Sequence, residues 1–224
     1  MTFFRLYRLE LDWNGKVVPS CVHCHQIGDA MRQVYRKEMQ PVPTEWIYAW
    51  PAPETIGLTL AEDQVSKIEA VMPGSIAASA GLLPGDELVA LNGQTLVSIA
   101  DVSWVLHRAP AIGLMRAAIR RAGAPREVTL TLAENWRTQA DLSQRVGAWS
   151  MRAMATGGLV LKELSTTERQ VRDLTTSRLA LRVDFVGQYG KHAAGKKAGF
   201  EKGDVIVELD GKSNALTESQ WMAY

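Results

Sequence analysis

The sequence predicts a mostly β protein with short helices, an α+β fold that contains a duplicated unit. Residues 80–93 and 198–211 align without a gap at an offset of 118 positions (198 − 80 = 118). Each stretch contains Ala-Gly, then Gly-Asp, a short apolar run, and finally Asn-Gly or Asp-Gly. Such dipeptides are typical of turns, and apolar runs of this length are typical of strands. A repeat of this kind indicates that one structural unit occurs twice.

The glycines of the repeat predict particular backbone conformations. Gly81 and Gly199 suit a left-handed position just past a short helix. Residues 87–91 and 205–209 are predicted strands, each closed by a turn that favours positive φ. The pattern resembles the PDZ domain, in the bacterial form found in secreted proteases and their relatives. That resemblance implies tandem, partly open β-barrels, the second of which is truncated.

Composition excludes several classes of protein as leading interpretations. The chain has 224 residues, a net charge of +1, 46% hydrophobic and 22% charged residues. Such a length suits one large or two small domains, and near-neutrality gives no reason to expect nucleic-acid binding. No apolar run approaches the roughly 20 residues of a spanning helix, so we expect no membrane insertion. The N-terminus lacks the apolar segment of a signal peptide.

A cysteine motif follows a predicted hairpin at the N-terminus. Residues 4–18 contain Asn14-Gly15 between apolar runs, which indicates a β-hairpin. Cys21-x-x-Cys24-His25 then opens a predicted helix that reaches about residue 39. The motif is the attachment pattern of covalent haem c, in which two thiols bond the porphyrin and the histidine binds the iron. A zinc site, a redox dithiol and no cofactor at all stay open as alternatives.

Residues 40–53 interleave four prolines with three aromatic side chains. Proline at this density resists helix and central strand, so the segment is predicted to be an extended linker. We expect its aromatic residues to pack on a neighbouring domain or to cover a haem. The predicted domains are therefore residues 1–52 (hairpin, cysteine helix and linker), 53–134 (first PDZ-like unit), 135–175 (helical connector) and 176–224 (second, incomplete unit).

The first unit carries the candidate binding site. In the PDZ family, backbone N–H groups of a glycine-containing loop hold a peptide's C-terminal carboxylate, and the peptide adds as a strand beside a helix. The segment from Thr55 to Leu60, with Gly57 in the loop, matches that loop and strand, and residues 99–108 match the helix. The predicted partners are protein C-termini or extended peptides. The predicted contact residues are Thr55, Ile56, Gly57, Leu58, Thr59, Leu60, Ile99, Val102, Val105 and Leu106.

Two further expectations concern this unit. The helix begins at Ser98 rather than at the histidine of many peptide-specific relatives, so their specificity is not carried over. His107 is expected to be a surface or helix-end residue. The serines and histidines of the chain form no evident catalytic constellation, so we expect no catalytic site here.

The second unit is predicted to differ from the first. Residues 178–183 stand where its binding strand is expected, and they lack a counterpart of Gly57, so carboxylate capture is not expected there. The connector packs its tryptophans on the repeats or, equally, contributes a strand to the second unit. A Cys-x-x-Cys-His segment before PDZ-like units resembles bacterial multidomain proteins with a thioredoxin-like domain. That resemblance implies a fragment of a longer protein in the periplasm or another extracytoplasmic compartment.

Overall fold

The computed structural model of the protein describes residues 24–61, 64–143, 145 and 147–224. The chain divides into two compact units, Met1–Ala140 (unit 1) and Asp141–Tyr224 (unit 2). Both combine antiparallel sheets with short helices, which confirms the predicted α+β class. Within the described part of the chain the sheets do not close into a barrel.

Unit 1 is built on a sheet flanked by short helices. Its strands follow the order β1-β2-β3-β5-β6, all neighbours are antiparallel, and β4 pairs with β3. The elements are α1 (Cys24–Lys37), α2 (Thr44–Ile47), a 3-10 helix (Pro53–Ile56), β1 (Leu58–Ala61), β2 (Gln64–Val71), α3 (Ile76–Ser79), β3 (Glu87–Leu91), β4 (Gln94–Thr95), α4 (Ile99–Arg108), β5 (Gly113–Arg121), β6 (Ala124–Leu132) and a 3-10 helix (Trp136–Gln139).

The core of unit 1 lies between the sheet and α4. Alternate residues of β5 and β6 are buried, as the period of two along a strand requires. On α4 the buried side chains are those of Val102, Val105 and Leu106. Ser98 and Asp101 form a capping box that sets where this helix begins. The sequence also predicts a closing hairpin of residues 114–120 and 127–132. It is confirmed, because β5 pairs with β6 from Gly113↔Leu132 to Arg121↔Ala124.

The predicted turns of the repeat are present in both units. Gly81 and Gly199 have φ of +78° and +92° at the ends of their short helices. Asn92 and Asp210 have φ of +51° and +48°, and each precedes a glycine that also has positive φ. These conformations favour glycine, asparagine and aspartate, which explains the residue types at these positions.

The predicted extended linker at residues 40–53 is wrong in part. It contains α2, and its end begins the 3-10 helix Pro53–Ile56. Proline is tolerated at the first position of a helix because that N–H has no intrahelical partner, so Pro53 can start a helix. The expected aromatic packing is confirmed: Trp50 stacks on Trp104, with ring centroids 5.6 Å apart.

Unit 2 contains a smaller sheet in the order β7-β8-β9. Its elements are α5 (Ala148–Ala155), β7 (Leu159–Glu163), α6 (Thr166–Gln170), β8 (Leu181–Val186), a 3-10 helix (Gly190–Ala193), α7 (Ala194–Lys197), β9 (Val205–Ile206) and α8 (Glu218–Ala223). Its core is formed mainly by leucines and valines of the three strands.

The predicted connector is not a separate element between the units. Its start belongs to unit 1, where Trp136 is buried and its indole N–H donates to the carbonyl of Pro110 at 3.0 Å. Its later part contains α5 and β7, so the alternative in which it contributes a strand is the correct one. The predicted hairpin at residues 4–18 and Cys21 lie outside the described residues. No helix in the described part of the chain is both long and apolar enough to cross a membrane.

Candidate functional site

Strand β1 is at the edge of the unit 1 sheet. The hydrogen bond made by Gly57 shows which residues of β1 direct their N–H and C=O groups towards β2. The N–H of Met72 donates to the carbonyl of Gly57 at 2.9 Å, so Gly57 faces β2. Because this direction alternates along a strand, Thr59 also faces β2, whereas the N–H and C=O groups of Leu58 and Leu60 face the opposite edge. These outward groups are the ones that an added strand would pair with.

The outward edge of β1 has no partner among the described residues. Within the part of the chain that the structure describes, no side chain and no backbone group outside the sheet hydrogen-bonds to Leu58 or Leu60. Their side chains are buried in the core, with 1% and 6% of their surface exposed, so it is the backbone of β1 that faces outwards. An edge with unpaired N–H and C=O groups can accept another chain by strand addition.

Gly57 is required by its backbone conformation and by a close approach. Its φ is +84°, and a Cβ at this position would lie 2.1 Å from Cβ and 2.2 Å from Oγ of Ser75. Its own N–H donates to the carbonyl of Glu54 at 2.9 Å. This amide is therefore engaged within the loop, and the first outward N–H after it is that of Leu58.

The structure brings the predicted contact residues together but buries most of them. Only Thr59 and Ile99 are exposed, and 43% of the Ile99 surface is accessible. A bound strand would thus meet the backbone of β1 and these two side chains. The other eight predicted contact residues are buried in the loop or in the core: Thr55, Ile56, Gly57, Leu58, Leu60, Val102, Val105 and Leu106.

The C-terminal end of α4 is held by a buried arginine that the sequence did not single out. The guanidinium of Arg137 donates to the carbonyls of Leu106, His107 and Ala109 at 3.2, 3.1 and 2.5 Å. A helix end leaves its last carbonyls without i+4 partners, and of these three Leu106 also accepts the N–H of Ala109 at 3.3 Å. Burial lowers the pKa of Arg137. The guanidinium also lies 4.5 Å from the ring centroid of Trp136.

His107 lies at the end of α4, as predicted, but it is packed rather than free on the surface. Its ring is 4.1 Å from that of Trp50 and 5.2 Å from that of Trp46, measured between centroids. Burial and the neighbouring charge of Arg137 lower its pKa, so the neutral imidazole is favoured. An aromatic surface made of Trp46, Trp50, Trp104 and His107 thus covers this side of α4.

The turn before β3 is fixed by an ion pair between the buried Asp86 and the partly exposed Arg121. Asp86 is 1% exposed and accepts hydrogen bonds from Nε and Nη2 of Arg121, both at 2.7 Å, and from the N–H of Leu83 at 2.9 Å. The hydrogen bond from Arg121 is the main cause of a lowered pKa at Asp86. Arg121 also donates to the carbonyl of Gly81, which ties the repeated turn to the end of β5.

The cysteine motif is described only in part. Cys24 and His25 lie in the first turn of α1, and Cys21 precedes the described residues. Among the residues that the structure describes, no group of three or more His, Cys, Asp or Glu side chains is placed to hold a metal ion.

Unit 2 reproduces the pairing of β1 with β2. Leu159 pairs with Val186 as Leu58 does with Val71, and Leu161 pairs with Val183 after the same kind of register shift. The N–H of Gly187 donates to the carbonyl of Gly158 at 3.0 Å, as Met72 does to Gly57. Gly158 has φ of +85°, and a Cβ there would lie 2.0 Å from a backbone oxygen.

The strand expected at residues 178–183 was therefore assigned wrongly. The loop and edge strand of unit 2 are Thr156-Gly157-Gly158-Leu159-Val160-Leu161, which matches Thr55-Ile56-Gly57-Leu58-Thr59-Leu60 at an offset of 101 (156 − 55 = 101). The signal was present in the sequence as the shared pattern Thr-x-Gly-Leu-x-Leu. It was missed because the offset of 118 does not hold across the insertion that contains α6.

Comparison with known families gives one match, to the PDZ domain, over residues 67–121. This stretch runs from within β2 to the end of β5 and includes α4, so the chain contains a PDZ domain in unit 1. No match was found among curated proteins. A PDZ domain defines a module of the peptide- and protein-binding class, in agreement with the open edge of β1.

Proposed function

We propose that unit 1 binds the C-terminus or an extended segment of a partner protein by strand addition to β1. The observation that supports this most directly is the outward backbone of Leu58 and Leu60, which has no partner in the described parts of the chain and lies next to the loop that contains Gly57. The bound strand would take up these N–H and C=O groups, and Ile99 and Thr59 would contact its side chains. Since Ile99 is apolar, an apolar residue in the ligand is favoured near the start of α4.

Peptide panning followed by backbone substitution in the peptide tests this proposal. A library of peptides with free C-termini is panned against the full chain, and the selected peptide is resynthesised with single N-methyl groups. Alternate N-methylation should reduce affinity about tenfold or more at every second residue, because only those N–H groups pair with β1. A uniform small effect along the peptide would contradict strand addition.

A matched pair of surface variants tests the side-chain part of the proposal. Ile99→Asp places a charge beside the proposed ligand, whereas Ile112→Asp makes the same change at an isoleucine that is 63% exposed between α4 and β5. We expect Ile99→Asp to weaken binding about tenfold and Ile112→Asp to leave it within about twofold. Equal effects of the two variants would contradict a role for Ile99.

Two finer proposals extend beyond unit 1. We propose that unit 2 is a second PDZ-like copy, which is supported by its matching strand register and turns. We also propose that the full-length protein acts in the bacterial envelope, which is supported by the resemblance of the domain order and of the cysteine motif. Fractionation of cells that express the full-length gene tests the second of these, and recovery in the cytoplasm alone would contradict it.

A further inference from the structure

In contrast to β1, the edge strand β7 of unit 2 is already occupied by residues of the same unit. The N–H of Leu159 donates to the carbonyl of Thr156 at 3.3 Å, and the carbonyl of Leu159 accepts from Oγ1 of Thr156 at 2.8 Å. The N–H of Leu161 donates to Oε1 of Glu218 at 2.8 Å. These groups face away from β8, because the bond to Gly158 sets the alternation along β7.

A buried ion pair holds Glu218 at this edge. Nε of Arg152 donates to Oε1 of Glu218 at 2.9 Å, and Nη2 donates to Oε2 at 2.6 Å. Their side chains are 9% and 6% exposed, so the pair is almost fully removed from water. Nη2 of Arg152 also donates to the carbonyl of Ser143 at 2.9 Å. A buried charge with this many partners is held firmly, because loss of one partner leaves the other uncompensated.

Helix α5 provides the arginine of this ion pair and also packs against the other two elements at this edge. It contacts α8 and β7, and the indole N–H of Trp221 on α8 donates to the carbonyl of Ala155 at 3.2 Å. Unit 1 has no such arrangement among its described residues. The N-caps of α4 and α8, Ser98 and Thr217, align at an offset of 119 (217 − 98 = 119), so the counterpart of Glu218 is Ile99. The counterpart of Arg152 is Pro51 (152 − 101 = 51), so neither charge is present in unit 1.

We infer that unit 2 is self-occupied: Thr156 and Glu218, the latter held by Arg152 on α5, take the backbone positions along β7 that an added strand would need. Addition of a peptide to unit 2 then requires release of the Arg152–Glu218 pair, so the resting chain has an open strand edge in unit 1 and a closed one in unit 2. The inference rests on contacts within unit 2 and does not depend on unit 1 binding a peptide.

Backbone amide hydrogen exchange of the full chain, measured by NMR without any peptide, tests it. We expect the Leu161 amide to exchange about tenfold or more slowly than that of Leu60, whose N–H has no such acceptor among the residues that the structure describes. Glu218→Ala should accelerate exchange at Leu161 while Val160, which faces β8, stays protected. Glu208→Ala, the same change at an exposed position in this unit, should leave Leu161 unchanged.

The outcomes separate a local effect from unfolding. Should Glu218→Ala remove protection from Val160 as well, Glu218→Gln decides, because it keeps the size of the side chain but removes the charge through which Arg152 holds it at the edge. We then expect acceleration at Leu161 with Val160 still protected. The inference is overturned if Leu161 exchanges as fast as Leu60 in the wild type. The expected selective result is faster exchange at Leu161 with Val160 still protected. The inference is also overturned if neither Glu218 variant gives this result.

A peptide titration gives a second, independent readout. With the peptide selected on the full chain, we expect the amide signals of Leu58 and Leu60 to shift at concentrations that leave Leu159 and Leu161 unchanged. Parallel shifts of both pairs would overturn the inference. If panning yields no peptide, the proposed function of unit 1 fails, and the exchange measurement still decides the state of unit 2.

Discussion

Alanine substitutions at Gly57 and at Gly74 together separate the cost of a positive φ from the cost of a steric clash in the candidate loop. An alanine Cβ there would lie 2.1 Å from Cβ of Ser75, and φ is +84°. Gly74 is the matched control, because its φ is +73° and no atom of the described residues lies within 4 Å of an added Cβ. Alanine at a positive φ costs about 1 kcal/mol of stability, and overpacking adds about 1 to 3 kcal/mol. We therefore expect losses of about 1 kcal/mol for Gly74→Ala and about 3 kcal/mol for Gly57→Ala.

Urea unfolding monitored by tryptophan fluorescence measures both losses, with the slope m compared to check that the transition is unchanged. Ser75→Gly in the Gly57→Ala background removes both contacting atoms and should restore part of the lost stability. The recovery is incomplete because Oγ of Ser75 also accepts the N–H of Ala78 at 3.1 Å and caps α3. Equal losses for the Gly57 and Gly74 variants, or no recovery in the double variant, would refute the steric explanation.

Three further predictions follow from the described contacts and from the cysteine motif. Asp86→Asn should lower the free energy of unfolding by about 2 kcal/mol at neutral pH, because the carboxylate accepts three hydrogen bonds. Arg137→Met should cost about 2 to 4 kcal/mol, since it leaves carbonyls at the end of α4 without donors. Co-expression with a haem-attachment system should give a pyridine-haemochrome spectrum that Cys21→Ser and Cys24→Ser abolish.

Each of these predictions has a decisive outcome. The folded-state pKa of Asp86 is lowered, so its contribution is present above the unfolded pKa of about 4 and is lost as pH falls through the folded-state pKa. The stability difference between wild type and Asp86→Asn should therefore shrink below about pH 4, and a constant difference would contradict the assignment. For Arg137→Met, a loss below about 0.5 kcal/mol would show that water replaces the guanidinium. Absence of covalent haem would leave zinc, a redox dithiol or no cofactor, which metal analysis and thiol titration distinguish.

Much of unit 1 was predictable because its signals are local. Asn-Gly at residues 92–93 requires positive φ, and alternation along residues 113–132 marks a hairpin, so neighbouring residues were sufficient evidence. The helix at residues 99–108 was predicted with the observed bounds because its apolar spacing and its cap coincide. The short helices at residues 44–47 and 53–56 were missed because proline in the first turn of a helix resembles proline in a linker.

The buried charges could not be predicted in this way. Arg137 donates to the end of α4 across a sequence separation of about 30 residues, and Arg152 meets Glu218 across 66. Nothing in the flanking residues of these arginines distinguishes them from exposed ones. Only packing brings each guanidinium to its acceptors and removes water from around it.

By itself, the sequence showed that the pattern of residues 80–93 recurs at residues 198–211 and determined where the turns of both stretches fall, because turn residues act over a few positions. The loop around Gly57 was placed by its resemblance to the PDZ family. The tertiary structure decided which segment supplies the matching edge in unit 2, since an insertion between paired strands changes the offset but not the pairing. It also decided that Leu159 and Leu161 of β7 bond to Thr156 and Glu218 of the same unit, whereas the outward groups of β1 have no partner among the described residues. That difference depends on Glu218 and Arg152, whose effect appears only when α5, α8 and β7 are packed together.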